Sequence, residues 1–172
     1  MSLQNRGPDS FNELSVGPEL HFAGSVLWLR GRRLEPQPCV DGSGNVLLWN
    51  GDVFDGAIEV DEEQSDTKKI SDRLATVSDG EVSHVFAAIQ GPFAFIYYRP
   101  SSNKMWFGRD YFGRHSLLIG RPVEGGQSFV LSSIGGCGAK EEVPAYGIYE
   151  IHLSQSPQVL HLHRWENCRN IV

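Results

Sequence analysis

Short apolar runs that suit the period of two of a strand recur through the 172-residue chain and constrain its fold more than any other feature. Alternation with a period of two places the apolar side chains on one face of an extended strand. Turn-forming segments at 41–44, 100–103 and 124–126 separate the runs at spacings that suit antiparallel hairpins. The pattern therefore predicts a mainly antiparallel sheet. The predicted strands are 25–29, 45–50, 93–98, 104–108, 116–120, 128–133, 147–153 and 158–165.

Two stretches carry a helical periodicity instead. Ser65 can cap a helix in which Ile70, Leu74 and Val77 share one face. A second helix is predicted over 82–89, where apolar residues again recur at helical spacing. Both helices fall between the early and the later strands, so we expect them to pack on the sheet in an α+β fold. No internal repeat or linker interrupts the sequence, and a single domain is expected over residues 1–172.

The charge balance argues against a nucleic-acid partner, because the chain has a formal net charge of −6 and a pI near 5.5. No run approaches the roughly 18 uninterrupted apolar residues of a membrane helix. The polar N-terminal residues also lack the apolar core of a signal peptide. We therefore expect a cytoplasmic protein with no membrane partner.

The cysteines do not form a recognisable framework. Cys39, Cys137 and Cys168 are odd in number and have no CxxC spacing, so free thiols are expected rather than disulfides or a zinc site. His161 and His163 fall on one face of a predicted strand and could form a metal site with Cys168. No second carboxylate is near them in the sequence, and we expect no metal.

The predicted strand 45–50 ends in Asn50-Gly51-Asp52, and two interpretations remain open for this tripeptide. Asn-Gly is the commonest signal for a tight hairpin turn, because both residues tolerate positive φ. The alternative is an oxyanion site, in which an amide side chain and a backbone N–H stabilise developing negative charge beside a carboxylate.

Several motifs occur in an order that resembles a known family. The similarity extends from Arg6 to about Trp165, and its blocks are RGPD (6–9), WNGDVFDG (49–56), SDT (65–67), GPFAFIYY (91–98), FGRDYFGRHSLL (107–118), SSI (132–134) and EVPAYGIYEI (142–151). Together they resemble the glutaminase domain of asparagine synthetases, a class II glutamine amidotransferase. Within that family the Trp before Asn-Gly and the run Trp-Phe-Gly-Arg-Asp are most similar to the asparagine synthetase domain-containing proteins.

The resemblance implies an N-terminal-nucleophile hydrolase fold: a sandwich of two antiparallel sheets flanked by helices, with glutamine bound at one edge. It also implies a glutaminase reaction, in which an N-terminal cysteine attacks the side-chain amide of glutamine and its own α-amino group acts as the base. Asn50 and Gly51 would then donate to the oxyanion. Asp52 and Asp66 would receive the ammonium group of glutamine. For Asp66 an equal alternative is an acid favoured by the dipole in the first turn of a helix.

The sequence departs from the family pattern at its start. The motif RGPD begins at residue 6, so we expect the nucleophilic cysteine and the first strand to be missing and the domain to be inactive as it stands. We do not expect Ser2 to replace the cysteine. The chain from Ser2 to Arg6 spans at most about 14 Å, which leaves no room for the missing strand to cross the sheet and return. Three origins would fit a missing start: a trimmed sequence, a splice form or a misplaced gene start.

Two further departures weaken the expected glutamine site. Val26 and Leu27 occupy the region of the arginine that binds the α-carboxylate in the family, and Arg30 is the nearest basic residue. We therefore expect weak glutamine binding. The ATP-using synthetase domain is expected to be absent from this chain and present, if at all, in a longer parent, so no cofactor is expected. A non-catalytic interaction or regulatory module on the same fold is the alternative function.

Overall fold

The computed structural model describes residues 3–29, 32–56, 58, 65–120, 128–136, 138, 140–155 and 159–168. The helices within these ranges are α1 (Asp66–Ala75), α2 (Val82–Ala87) and α3 (Trp165–Cys168), with single 3-10 turns at Leu3–Asn5 and Asp79–Glu81. The strands are β1 (Ser10–Val16), β2 (Leu20–Val26), β3 (Cys39–Val40), β4 (Val46–Gly51), β5 (Asp55–Gly56), β6 (Ile89–Gln90), β7 (Phe93–Arg99), β8 (Lys104–Arg109), β9 (Leu118–Gly120), β10 (Val130–Ser132), β11 (Glu141–Glu142), β12 (Gly147–His152) and β13 (Leu160–Arg164).

The largest sheet of the described residues has six strands in the order β13-β12-β8-β7-β4-β3, and each neighbouring pair is antiparallel. A three-stranded sheet has the order β10-β9-β11, and β1 pairs with β2 as a separate hairpin. The prediction of a mainly antiparallel protein is therefore confirmed.

The six-stranded sheet has a different neighbour on each face. On one face, alternate residues of β4 and β7 pack with helices α1 and α2; their shared cluster includes Leu47, Trp49, Phe93, Phe95, Ile70, Leu74 and Phe86. On the other face, the intervening residues pack with β2, β9 and β10, in a cluster that includes Val46, Leu48, Ala94, Ile96, Phe22, Ile119 and Leu131. The result is the expected α+β sandwich, with the described helices on one side.

Helix α1 begins as predicted. The Ser65 side chain accepts a hydrogen bond from the backbone N–H of Lys68, and Ile70 and Leu74 are fully buried against the sheet. The second helix is shorter than predicted, because α2 ends at Ala87 and Ile89 pairs in β6 with Gly56. A short strand thus interrupts a helical pattern that looked continuous in the sequence.

The predicted strand at 25–29 is the clearest error. The observed strand β2 ends at Val26 and begins at Leu20, where it forms a hairpin with β1. Residues 27–29 are outside regular structure, and Leu29 is 78% exposed. Most side chains of β1 are exposed, so this strand has little apolar alternation and its pairing with β2 was not evident.

Candidate functional site

A groove of about 1790 Å³ lies between the hairpin β1–β2 and strand β10, and the six-stranded sheet forms its floor. Residues of β2, β4 and β10 line it, together with the start of α1 and the loop before β9. All the site residues predicted from the sequence line this groove: Asn50, Gly51, Asp52 and Asp66. The structure therefore brings two motifs, WNGD and SDT, to one surface.

Asn50 lies near the end of β4, directly opposite Ala94 of β7. Strand alternation puts it on the groove-facing side with Leu48, whereas Trp49 packs into the opposite core. The indole Nε1 of Trp49 donates a 3.1 Å hydrogen bond to the carbonyl of Gly51, which fixes the backbone just beyond Asn50. The half-buried amide of Asn50 is thus carried by a strand held on both faces.

Gly51 lies inside the sheet and not in a hairpin turn. It pairs with Phe93, and the backbone N–H of Asp52 donates to the carbonyl of Pro92 at 3.0 Å. A Cβ at position 51 would stand 2.4 Å from that same carbonyl oxygen, so close backbone approach requires glycine here. The hairpin interpretation of Asn50-Gly51 is therefore wrong, because the partner strand lies more than forty residues further along the chain.

Asp66 is the first residue of α1 and is only 8% exposed. Its Oδ2 accepts a 2.7 Å hydrogen bond from the backbone N–H of Val53, two residues after Gly51. The helix cap itself is Ser65. Asp66 therefore ties the helix to the segment that carries Asp52, and it places a buried carboxylate at the groove surface.

Gln37 organises the same region and was missed in the sequence. Its Oε1 accepts from the backbone N–H of Trp49 at 2.8 Å, and its Nε2 donates to the carbonyl of Trp49 at 2.7 Å. Nε2 also lies 3.4 Å from the hydroxyl of Thr67. The side-chain amide thus extends the pairing of β3 with β4 by imitating a peptide group, and it joins β4 to the start of α1.

A second polar cluster supports the partner strand β7. The buried carboxylate of Asp110 accepts from the backbone N–H of Phe93 at 3.1 Å and from Nε of Arg114 at 3.0 Å, while Arg114 also donates to the carbonyl of Gly91 at 2.7 Å. Burial opposes ionisation, but these donors hold the pKa of Asp110 below its usual value. Arg109 pairs with Glu142, so the partner of Asp110 is Arg114 and not its neighbour in the chain.

Arg6 and His115 also line the groove, and neither was identified as a site residue from the sequence. Nη1 of Arg6 donates to the carbonyl of Ser133 at 2.8 Å, which joins the N-terminal segment to the end of β10. The imidazole of His115 is half-buried, and burial lowers its pKa. Both residues lie inside motifs that carry the family resemblance, RGPD and FGRDYFGRHSLL, but the sequence alone did not indicate that these motifs line the same groove as Asn50.

The cysteine that the structure describes does not act in the groove. Cys39 is 5% exposed and belongs to the helix-facing core, where burial raises the pKa of its thiol. Ser2, Arg30, Cys137 and the side chain of Cys168 lie outside the described residues. Val26 and Leu27 line the groove but carry no charge for a carboxylate.

One of the two histidines of β13 pairs with a neighbouring strand. Nε2 of His163 lies 2.8 Å from a carboxylate oxygen of Glu150 on β12. Among the residues that the structure describes, no group of three or more His, Cys, Asp or Glu side chains could hold a metal ion. None of the described helices is long and apolar enough to cross a membrane.

Comparisons with known proteins agree with the fold and the motifs. Residues 29–135 match the family model described as a glutamine amidotransferase domain. Asparagine synthetase domain-containing protein 1 of Bos taurus is 43% identical over 96% of this chain and 27% of its own length, and that of Homo sapiens is 40% identical over 96% and 27%. The chain thus spans about a quarter of the length of these relatives.

Solved structures with the same fold share little sequence with the chain. The glutamine phosphoribosylpyrophosphate amidotransferase from B. subtilis, complexed with ADP and GMP, matches with a TM-score of 0.55 at 15% identity, over 75% of this chain and 31% of its own. A structure described as the allosteric regulatory enzyme of purine biosynthesis matches with a TM-score of 0.58 at 15% identity, over 76% and 31%.

Proposed function

Because the chain belongs to the glutamine amidotransferase domain family, we propose that its groove binds glutamine and that the domain is the glutaminase unit of a longer asparagine synthetase-like protein. The observation that carries this proposal is the convergence of Asn50, Gly51, Asp52 and Asp66 on one groove, although two separate motifs supply them. The relatives from Bos taurus and Homo sapiens are about four times longer than this chain, which supports a parent with further domains. The identity of the ammonia acceptor would depend on those domains.

The proposed chemistry is the hydrolysis of a side-chain amide. Attack on the amide carbon produces a tetrahedral intermediate with a negative oxygen, and the side-chain NH₂ of Asn50 and the backbone N–H of Gly51 are proposed to donate to it. Loss of one such donor typically raises the barrier by about 3 kcal/mol. Asp52 and Asp66 supply negative charge for the ammonium group of the ligand.

The nucleophile is the part of the reaction that the described residues do not supply. Cys39 is buried in the other core and its thiol has a raised pKa, so it is unsuited to attack a ligand in the groove. No other cysteine side chain is described, and the attacking thiol is proposed to come from a segment beyond the described residues. The family resemblance assigns the attack to a cysteine at the start of the domain, and no cysteine precedes Cys39 in the sequence. On that ground we expect the 172-residue chain alone to release little ammonia from glutamine.

Titration of the ¹⁵N-labelled chain with L-glutamine tests the ligand. We expect millimolar or weaker binding, with amide shifts centred on residues 49–52 and 65–67. Asn50→Ala should weaken the response, whereas Asn12→Ala, on the exposed strand β1, is a matched control that should leave it unchanged. Shifts confined to another surface would show that the family fold is present without a glutamine site.

An ammonia-release assay tests the second part of the proposal. The chain should give no turnover above a buffer blank, and Ser2→Ala should make no difference. Clear turnover that Ser2→Ala abolishes would overturn the assignment of the nucleophile to another segment. Turnover that Cys39→Ser abolishes would show that a buried thiol reaches the groove.

One observation favours the alternative of an interaction module. Leu27, Trp28 and Leu29 line the rim of the groove, and each is at least 48% exposed. Consecutive exposed apolar side chains are typical of a surface that binds another protein. If glutamine produces no shifts while Leu29→Asp abolishes association with the remainder of the parent protein, the module is the better description.

A further inference from the structure

Gln37 lines the groove and contacts three of the elements that form it. Its side chain binds the backbone of Trp49 on β4 and approaches Thr67 on α1, while its backbone lies against Gly24 of β2. We propose that Gln37 is a positioning residue: it fixes the separation between the donors at the end of β4 and the carboxylate at the start of α1, and thereby the length of ligand that the groove accepts. This inference rests on the proposed function, because it concerns the spacing between the two ends of the same ligand.

The side chain of Gln37 takes the place of a backbone pair. Cys39 lies opposite Leu47 in the antiparallel pairing of β3 with β4, so the same register places Gln37 opposite Trp49. Strand β3 begins only at Cys39, and the Gln37 amide replaces the missing backbone partner through Oε1 at 2.8 Å and Nε2 at 2.7 Å. Only this orientation of the amide satisfies both the N–H and the carbonyl of Trp49. Gln37 therefore holds the residue that directly precedes Asn50.

One amide nitrogen connects the strand to the helix. Nε2 of Gln37 carries two N–H groups, so it can donate to the carbonyl of Trp49 and also to the hydroxyl of Thr67, which lies 3.4 Å away. Thr67 is the second residue of α1 and is only 6% exposed. Trp49 directly precedes Asn50, and Thr67 directly follows Asp66. The bridge thus joins the neighbours of two side chains that are proposed to hold opposite ends of the ligand.

A second connection lies at the other end of the tripeptide 50–52. Oδ2 of Asp66 accepts a hydrogen bond from the backbone N–H of Val53 at 2.7 Å. The tripeptide is therefore bound to the start of α1 at both of its ends, through Gln37 before it and through Asp66 after it. A segment held at both ends has few alternative positions, so its donors are arranged before a ligand arrives.

Close packing against β2 limits the movement of Gln37 itself. A Cβ on Gly24 would stand 2.4 Å from the carbonyl oxygen of Gln37 and 2.8 Å from its Cβ. Glycine is required at this position because the two backbones touch. The side chain of Gln37 thus reaches β4 and α1 from a backbone that β2 holds in place.

A fixed separation discriminates between ligands of different length. L-Glutamine and L-asparagine carry the same charged groups and the same side-chain amide, and one methylene separates their lengths. When the amide oxygen lies at Asn50, the ammonium group of asparagine falls short of Asp66. One methylene in a fitted pocket commonly changes binding by about tenfold or more. The groove should therefore prefer glutamine to asparagine, and this preference should depend on Gln37.

Titrations of the full ¹⁵N-labelled chain with L-glutamine and with L-asparagine test this inference. Wild type should bind glutamine about tenfold or more tightly than asparagine. Gln37→Met keeps the length of the side chain but has no donor, and Thr67→Val removes the hydroxyl. Each should weaken glutamine binding and bring the ratio of the two affinities close to one. Thr67→Ser retains the hydroxyl and should retain the ratio, and the control Thr76→Val, at the exposed C-cap of α1, should match wild type.

These variants separate positioning from packing. Amide hydrogen exchange at Trp49 should be unchanged in Thr67→Val, because both hydrogen bonds between Gln37 and Trp49 remain. A larger fall of the ratio in Thr67→Ser than in Thr67→Val would show that the methyl group matters and would overturn the inference.

Equal binding of glutamine and asparagine by wild type would also overturn the inference, as would an unchanged ratio in Gln37→Met or Thr67→Val. In these cases glutamine shifts at 49–52 would still support the proposed function. If glutamine produces no shifts at 49–52, both proposals fail.

Discussion

The two faces of the six-stranded sheet carry side chains from the same strands and differ in almost every other respect. On the helix-facing side, Trp49, Phe93 and Phe95 form a closed aromatic core with Phe86. On the groove-facing side, the intervening residues, such as Asn50 and Ala94, form the floor of an open cavity. Both faces therefore carry apolar clusters, but only the groove-facing side opens into a cavity, beside Asn50 at the end of β4.

The largest effect is expected on the closed face. Phe95→Ala should lower the free energy of unfolding by about 3 to 5 kcal/mol, because Phe95 is 1% exposed and stacks on Phe86 at 3.4 Å between ring centroids. Chemical denaturation measures this loss. The control is Ile96→Ala, the next residue on the groove-facing side, which is only half-buried and should cost less. Equal losses would show that the two faces are packed alike.

At the end of β4, the backbone of Gly51 closely approaches the start of its partner strand β7. Gly51→Ala would place a methyl group 2.4 Å from the carbonyl oxygen of Pro92, and this overpacking should cost about 2 to 3 kcal/mol. Denaturation against Gly80→Ala is the comparison, since a Cβ at position 80 meets nothing within 4 Å. A stable Gly51→Ala variant with unchanged glutamine shifts would argue that the strand end can move without affecting the site.

Replacement of Gln37, which joins β4 to the start of α1, should lower the free energy of unfolding less than Gly51→Ala does. Gln37→Ala removes both hydrogen bonds to the backbone of Trp49, and the loss should be about 1 to 2 kcal/mol, because a part-buried N–H and carbonyl lose their partners. Amide hydrogen exchange at Trp49 should become faster. Gln90→Ala, whose side chain is exposed, serves as the control. Unchanged exchange at Trp49 would mean that the strand pairing alone fixes this segment.

The sequence was most informative where the structure repeats a local pattern. Strands β4, β7, β8 and β12 were predicted closely, because both of their faces are packed and each appears in the sequence as a short run rich in apolar residues. Strand β1 was missed and β2 was placed too far along the chain. Most of β1 is exposed, and its strand conformation depends on pairing with β2. Local periodicity is therefore a better predictor of buried strands than of exposed strands, whose formation depends on pairing with a single neighbouring strand.

The candidate site was predictable in part. The motifs containing Asn50 and Asp66 identified residues that share the groove, but whether they bind glutamine stays a prediction. Gln37, Arg6 and His115 were missed, because their places in the groove lining depend on the tertiary fold. The hydrogen bonds of Gln37 to Trp49 and of Arg6 to Ser133 span 12 and 127 residues, and no local pattern reports such pairs.

The smallest expected effect on the free energy of unfolding concerns Glu150, which accepts a hydrogen bond from the indole of Trp106 at the edge of the helix-facing core. Burial alone would raise the pKa of Glu150, but Lys104 at 2.7 Å and His163 at 2.8 Å hold it below the usual value. A carboxyl group with a lowered pKa in the folded state stabilises the protein above its unfolded pKa. That contribution is lost as the pH falls through the folded pKa.

The unfolding free energy of wild type should therefore decrease below about pH 4, the ordinary glutamate range, and Glu150→Gln should decrease less over the same interval. The difference should be about 1 kcal/mol or less, because the ion pairs are partly exposed. Denaturation series at several pH values measure it, with Glu13→Gln on exposed β1 as the control. A Glu150→Gln variant that follows the wild-type curve would show that the ion pairs of Glu150 with Lys104 and His163 add nothing measurable to stability. Apolar packing alone would then stabilise the helix-facing side of the sheet.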